Sequence, residues 1–224
     1  MWKSPAGQYN PSGRTSTSAC SPAIGAQCSH RGRGVCPAGY IARAVTPATA
    51  DAPATARLFL ALWPDAMTRQ AIAAAAARWH WPPGVRPYAP DDWHVTLHFL
   101  GAVPLARLPA LQAGLAVPFT PFRWTLEGPA CWPHGLAVLA SARAAPPLAA
   151  LHRRLAHALR ALALPVETWP LRPHVTLARR ADGAQCPAGG SPIVWPVREY
   201  VLARSTGEPA PRYTIVARYP ATGP

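Results

Sequence analysis

Apolar and polar positions change period several times along this chain, and each change marks an element. Residues 57–63 (Arg-Leu-Phe-Leu-Ala-Leu-Trp) form an apolar run of strand length. Pro64-Asp65 then opens a helix that runs through Met67, Ile72 and a series of alanines to about Trp79, with Asp65 as its N-cap. Residues 81–84 (Trp-Pro-Pro-Gly) read as a loop, and residues 93–100 as a strand ended by Gly101. Leu105, Leu108, Leu111 and Leu115 share one stripe, which predicts a helix over 104–116. Strands follow at 122–126 and 136–142, joined by a turn-rich segment over 128–135. Pro146-Pro147 starts the strongest helix, whose buried face is Leu148, Leu151, Leu155, Leu159 and Leu162 and which Pro165 stops. A strand from His174 to about Arg179, a polar loop holding Gly183, Gly189 and Gly190, and strands over 197–204 and 213–219 complete the chain. Strands interleaved with helices, but often joined by short turns, predict an α+β fold with mainly antiparallel pairing.

One pattern occurs twice. His-Val-Thr-Leu stands at 94–97 and again at 174–177, about half a folded chain apart. In a strand the side chains alternate, so each His shares a face with its Thr while Val and Leu point into a core. The spacing predicts two pseudo-symmetric lobes whose motif strands face each other across a cleft. His98, two residues beyond Thr96, falls on the same face and could line that cleft, although a strand-end surface position is the commoner outcome.

Residues 1–56 break the pattern. They contain no Leu and no Phe, and eighteen of them are Gly, Pro or Ser. Such a segment buries too little apolar surface to offset its ordering entropy. It is expected to be disordered or loosely attached, outside a folded part that begins at Arg57. Its Arg, Ser and Ala content is that of an organellar transit peptide, but its Pro and Gly content argues against the amphipathic helix of such peptides.

Composition narrows the classes further. The net charge is +13 over 224 residues, and the folded part, 57–224, holds seventeen Arg against eight acids. A basic folded part favours a polyanionic partner, RNA or DNA first. Because Lys3 is the only Lys and Ala, Pro and Arg dominate, a compositional bias explains the charge equally well. The eight-residue spacing of Cys20, Cys28 and Cys36 is not that of a zinc site. Cys131 and Cys186 lie far apart in sequence, and no secretory h-region accompanies them, so free thiols in a reducing cytoplasm are expected. No apolar stretch reaches eighteen residues, which excludes a membrane-spanning helix. His152 and His157, five apart on a helix, miss the i,i+4 spacing of a metal pair and are expected to be solvated. The loop with Gly183, Gly189 and Gly190 lacks the Lys-Ser/Thr ending of a P-loop.

Two imidazoles and two hydroxyls in one space suit acid–base chemistry on a phosphate ester. Imidazole titrates near 6.5, so one ring can act as base and the other as acid near neutral pH, each contributing roughly 10²–10⁴ in rate. The threonine hydroxyls can donate to non-bridging oxygens, and a nearby Arg can neutralise developing charge. Trp63 and Phe59 could stack a base, although core packing is the commoner role for Phe59.

The stretches around these motifs carry a resemblance. Residues 57–62 (Arg-Leu-Phe-Leu-Ala-Leu), Arg86-Pro87, 92–101 (Asp-Trp-His-Val-Thr-Leu-His-Phe-Leu-Gly), 172–179 (Arg-Pro-His-Val-Thr-Leu-Ala-Arg), 200–205 and Tyr213 resemble the two-histidine phosphoesterases. Within them the similarity is to the RNA 2′,3′-cyclic phosphodiesterases of bacteria and archaea, also called 2′-5′ RNA ligases. It spans residues 57–219 in order and leaves out 1–56. It implies a bilobal α+β fold with a central cleft, no metal and no other cofactor. It also implies hydrolysis of RNA 2′,3′-cyclic phosphate ends to 2′-phosphates by a cytoplasmic enzyme, a monomer whose partner is RNA. ATP-independent 2′-5′ ligation, the reverse of cleaving a 2′-5′ linkage to a cyclic phosphate, is accessible in the same site. By resemblance His174 is the proton acceptor that activates water and His94 the proton donor to the leaving 3′-oxygen. Thr96, Thr176 and Arg179 hold the phosphate. Strict alternation sets Arg179 on the face opposite His174, so a bulge or strand end is needed to bring it in. The alternatives are a phosphodiesterase for small cyclic nucleotides or a cyclic ADP-ribose phosphate, and a non-catalytic RNA-binding module.

Overall fold

The computed structural model describes residues 54–223, so the expectation for the N-terminal segment falls almost wholly outside the described residues. Strand β1 (Thr55–Leu62) starts two residues before Arg57, and Pro64-Asp65 turns the chain into α1 (Ala66–Ala76). Asp65 Oδ1 accepts the Thr68 backbone N–H at 2.7 Å, which satisfies one of the helix's free donors. Strand β2 (Val95–Pro104) runs through Gly101 instead of ending there. That leaves only a 3₁₀ turn at Leu105–Arg107 and a short α2 (Leu108–Gly114) where one helix over 104–116 is expected. Leu111 and Leu115 are buried as the stripe requires, while Leu105 lies outside the helix and exposed. β3 (Phe122–Leu126), β5 (Leu136–Ala140), α3 (Pro146–Ala161), β6 (His174–Ala178), β8 (Glu199–Ser205) and β9 (Tyr213–Pro220) follow the sequence pattern. Two strands escape it, β4 (Gly128–Trp132) and β7 (Ile193–Val197). Each carries a proline, Pro129 and Pro196, and each lies at a sheet edge, where a missing N–H costs little.

Among the described residues seven strands form one sheet in the order β4-β5-β6-β2-β1-β8-β9, with β3 and β7 as a separate ribbon, and every pairing is antiparallel. The motif strands β2 and β6 are therefore hydrogen-bonded neighbours rather than opposite walls of a cleft. They touch at a single pair, Val95 with Val175, so the two half-sheets are continuous at one point. Each motif strand is also the last member of a strand–helix–strand unit, β1-α1-β2 and β5-α3-β6, and each pairs antiparallel with the first.

Both motif strands bulge at the same residue. Leu60 pairs with His98 and Ala61 with Thr96, so Leu97 is the extra residue on β2. Ala137 pairs with Ala178 and Val138 with Thr176, so Leu177 is the extra residue on β6. A bulge shifts the alternation by one, and side chains beyond it change face. Leu100 is a second extra residue on β2, next to Gly101 at φ +77, a conformation glycine adopts without strain.

The sheet has a core face and an open face. Leu58, Leu60, Leu62, Val95, Leu97, Leu139, Val175 and Leu177 join the α3 leucines in the main core. Phe59, Ala61, Val201 and Ala203 make a small cluster on the other face, with Trp63, Tyr213 and Ile215 against it. The Leu97 bulge sends His98 to the core face, away from Thr96. There His98 is 1% exposed, its Nε2–H donates to the His152 carbonyl at 2.9 Å, and its ring stacks on the His152 ring at 4.0 Å. His98 is thus neither a cleft residue nor a surface one, and His152 is packed rather than solvated. Burial pushes both rings below the ordinary imidazole value, His152 to about 4.

The unfolded chain takes up these protons near 6.5 and the folded one only lower down, so stability should fall as pH drops from 6.5 toward 4. Thermal unfolding across this range should show the loss, and His152→Gln should flatten part of it. A slope unchanged by that substitution would contradict the assignment.

Candidate active site

Continuing the Val95–Val175 register by one residue either way sets His94 opposite Thr176 and Thr96 opposite His174. The two valines point into the core, so these four side chains share the open face. Diagonal neighbours across an antiparallel pair lie roughly 7–8 Å apart, which places the two imidazoles either side of a space the size of a phosphate. The Leu177 bulge supplies the missing step for Arg179. Ala178 stays on the core face opposite Ala137, so Arg179 comes round to the face of His174. Its Nε–H donates to the Tyr88 hydroxyl at 3.1 Å, and its charge lowers the pKa of both histidines. All five residues predicted for the site are therefore on one face.

Each imidazole is oriented by a carbonyl two residues before it. His94 Nδ1–H donates to the Asp92 carbonyl and His174 Nδ1–H to the Arg172 carbonyl, both at 2.7 Å. A carbonyl only accepts, so Nδ1 carries the proton in both rings and Nε2 is left for chemistry. The tether at His94 is itself anchored. Asp92 is 3% exposed, and its carboxylate accepts the Arg212 backbone N–H at 3.1 Å and lies 3.7 Å from Arg212 Nε.

The two rings sit in different surroundings. His94 is caged by Trp63, stacked at 5.3 Å, by Phe59 at 4.9 Å and by the edge-on Tyr213 at 4.8 Å. Burial, then the charges of His174 and Arg179, push its pKa down to about 4 against the Asp92 carbonyl. His174 lies beside Trp132, 4.6 Å between ring centres, whose face is covered by the Arg172 guanidinium at 4.3 Å. Its pKa is also lowered, by burial first and then by Arg179 and Arg172. Both shifts favour the neutral imidazole, whereas an anion between the rings favours the protonated forms.

Tyr88, Trp132, Arg172 and the two tethering carbonyls were not predicted as site residues. Nothing in the sequence marks the tethers, and Trp132 is hidden by the unrecognised β4. Phe59 is 3% exposed, so it packs His94 and presents little surface to a base. A cavity of 570 Å³ between α1 and the β3–β7 ribbon contains none of these residues.

A twofold-repeated His–Thr pair on the open face of an antiparallel sheet defines the class of site. The comparisons narrow it. The model of the 2′-5′ RNA ligase superfamily matches residues 64–205, and the chain belongs to that superfamily. An RNA 2′,3′-cyclic phosphodiesterase of Thermus thermophilus is 34% identical over 183 residues, covering 75% of this chain and 91% of the relative. One from Geobacillus stearothermophilus is 30% identical over 148 residues, 59% of this chain and 46% of that protein. Among solved structures, E. coli LigT complexed with 3′-AMP superposes with a TM-score of 0.67 at 28% identity, covering 76% of this chain and 100% of that one.

Removing the Arg179 charge should raise the pKa of both histidines. NMR titration of the ring protons should show both midpoints moving up in Arg179→Ala and staying low in Arg179→Lys. Midpoints unmoved in Arg179→Ala would remove Arg179 from the site.

Proposed function

We propose that the protein hydrolyses RNA 2′,3′-cyclic phosphate ends to 2′-phosphates, and the observation that carries this is the pair of carbonyl-tethered imidazoles whose Nε2 atoms share one face with Thr96, Thr176 and Arg179. The relatives named above, RNA 2′,3′-cyclic phosphodiesterases at 34% and 30% identity, support the same substrate class. Thr96 and Thr176 donate to the non-bridging oxygens of the cyclic phosphate, and Arg179 offsets the charge that builds on them. His174 Nε2 takes a proton from water as its oxygen bonds phosphorus. The P–O3′ bond breaks in line, and O3′ takes the proton of His94 Nε2.

The surroundings of the two rings support this division. The more open ring, His174, is the one water reaches, and the caged ring, His94, shields the proton it delivers. The low pKa of His94 runs against an acid role in the empty site. The bound phosphate anion reverses that by favouring the imidazolium, so a proton is taken up with the substrate. No helix among the described residues is long and apolar enough to cross a membrane.

Product analysis on an oligoribonucleotide ending in a 2′,3′-cyclic phosphate should give a 2′-phosphate alone. Because kcat/KM reports the free enzyme and kcat the complex, the basic limb of the kcat profile should lie at higher pH than that of kcat/KM. A p-nitrophenyl diester, whose leaving group needs no acid, should restore much of the rate of His94→Ala and little of that of His174→Ala. The opposite pattern of rescue would exchange the two roles, and a 3′-phosphate product would move the scissile bond.

A further inference from the structure

A second pocket opens directly beside His174. It is a groove of 420 Å³ lined by Glu127, Trp132, Ser141, Ala142 and Arg172, along the β4 edge of the sheet. Trp132 and Arg172 belong to both places. The Trp132 ring contacts the His174 ring, and the Arg172 carbonyl holds His174 Nδ1. The Arg172 guanidinium lies over the Trp132 ring, 4.3 Å from its centre, and Arg172 is exposed. Stacked planes of this kind hold an unpaired base without regard to sequence. Glu127, whose carboxylate accepts the Ala142 N–H at 2.9 Å, adds a negative charge to the same wall.

We infer that this groove is the acceptor subsite, which takes the 5′-hydroxyl nucleoside of a second RNA strand where hydrolysis takes water. The inference rests on the hydrolytic reading above, in which the leaving O3′ faces His94. In-line displacement then requires the incoming oxygen to approach from the side of His174, where the Trp132–Arg172 stack begins. The 5′-oxygen bonds phosphorus and its proton passes to His174 Nε2. The P–O3′ bond breaks, and O3′ takes the proton of His94 Nε2. One P–O bond replaces another, leaving a 2′-5′ linkage with no nucleotide triphosphate consumed. Donor and acceptor strands thus occupy opposite halves of the sheet, the donor against the Trp63–Tyr213 cage and the acceptor against the Trp132–Arg172 stack.

The test is the partition of one donor between two acceptors. An oligoribonucleotide with a 2′,3′-cyclic phosphate is turned over with rising concentrations of a 5′-hydroxyl dinucleotide, and ligated product is counted against hydrolysed product. The ratio cancels any general loss of rate. It should saturate with acceptor in the wild type, fall about tenfold or more in Trp132→Ala and Arg172→Ala, and recover in Trp132→Phe. A ratio equal to the wild type's in both variants would overturn the inference, as would hydrolysis by the wild type with no ligated product at saturating acceptor. A rise in the KM of the cyclic end that matches the loss of ligation would assign the groove to the donor instead. A wild type unable to hydrolyse the cyclic end would strike the proposed function itself.

Discussion

The site depends on one backbone contact, the pairing of Val95 with Val175. It is the only register pair between the two half-sheets, and it fixes everything on the open face. A slip of one residue would turn His94, Thr96, His174 and Thr176 into the core and the valines out of it. The apolar contents of the core oppose such a slip, since Val95, Leu97, Val175 and Leu177 are all buried among the leucines of α3 and β1. The hydrophobic effect therefore sets the register, and the register sets the chemistry. The bulges at Leu97 and Leu177 add the second constraint. On β2 the bulge removes His98 from the open face, and on β6 it adds Arg179. The same local distortion in the two halves leaves two imidazoles and one cation on the open face, where strict alternation would leave three imidazoles and no cation.

The electrostatics follow from that placement. Burial, and after it the charge of Arg179, lowers the pKa of both rings, and the carbonyls of Asp92 and Arg172 hold them in one tautomer. The substrate is an anion, so its arrival supplies the charge that makes one imidazolium favourable. In the proposed mechanism, protonation is thereby coupled to binding. What breaks the twofold symmetry is the packing. Trp63, Phe59 and Tyr213 enclose one ring, whereas the other borders an open groove through Trp132 and Arg172.

Much of this was legible in the sequence. Repeated His-Val-Thr-Leu, read with a period of two, identifies four residues of the site and their common face. Asp65 and the leucine stripe of α3 locate two helices. What the sequence hides is where alternation fails. A bulge has no residue signature at Leu97 or Leu177, so His98 reads as a surface or cleft residue and Arg179 as a misplaced one. Pro129 and Pro196 obscure two edge strands, and with β4 goes Trp132. The helix expected over 104–116 is shortened to α2, because β2 continues past Gly101 to Pro104 and a 3₁₀ turn takes Leu105–Arg107. The long-range pairing of β2 with β6 is a tertiary fact, and it converts a cleft between facing strands into the face of a single sheet.

The most direct measurement is turnover of a short oligoribonucleotide ending in a 2′,3′-cyclic phosphate, with EDTA present, by the wild type, His94→Ala and His174→Ala. Paired imidazole catalysis predicts turnover by the wild type and a fall of about 10²–10⁴ in each variant, with the variants still folded and still binding the RNA. Turnover surviving in either variant at near the wild-type rate would contradict a site built on both histidines.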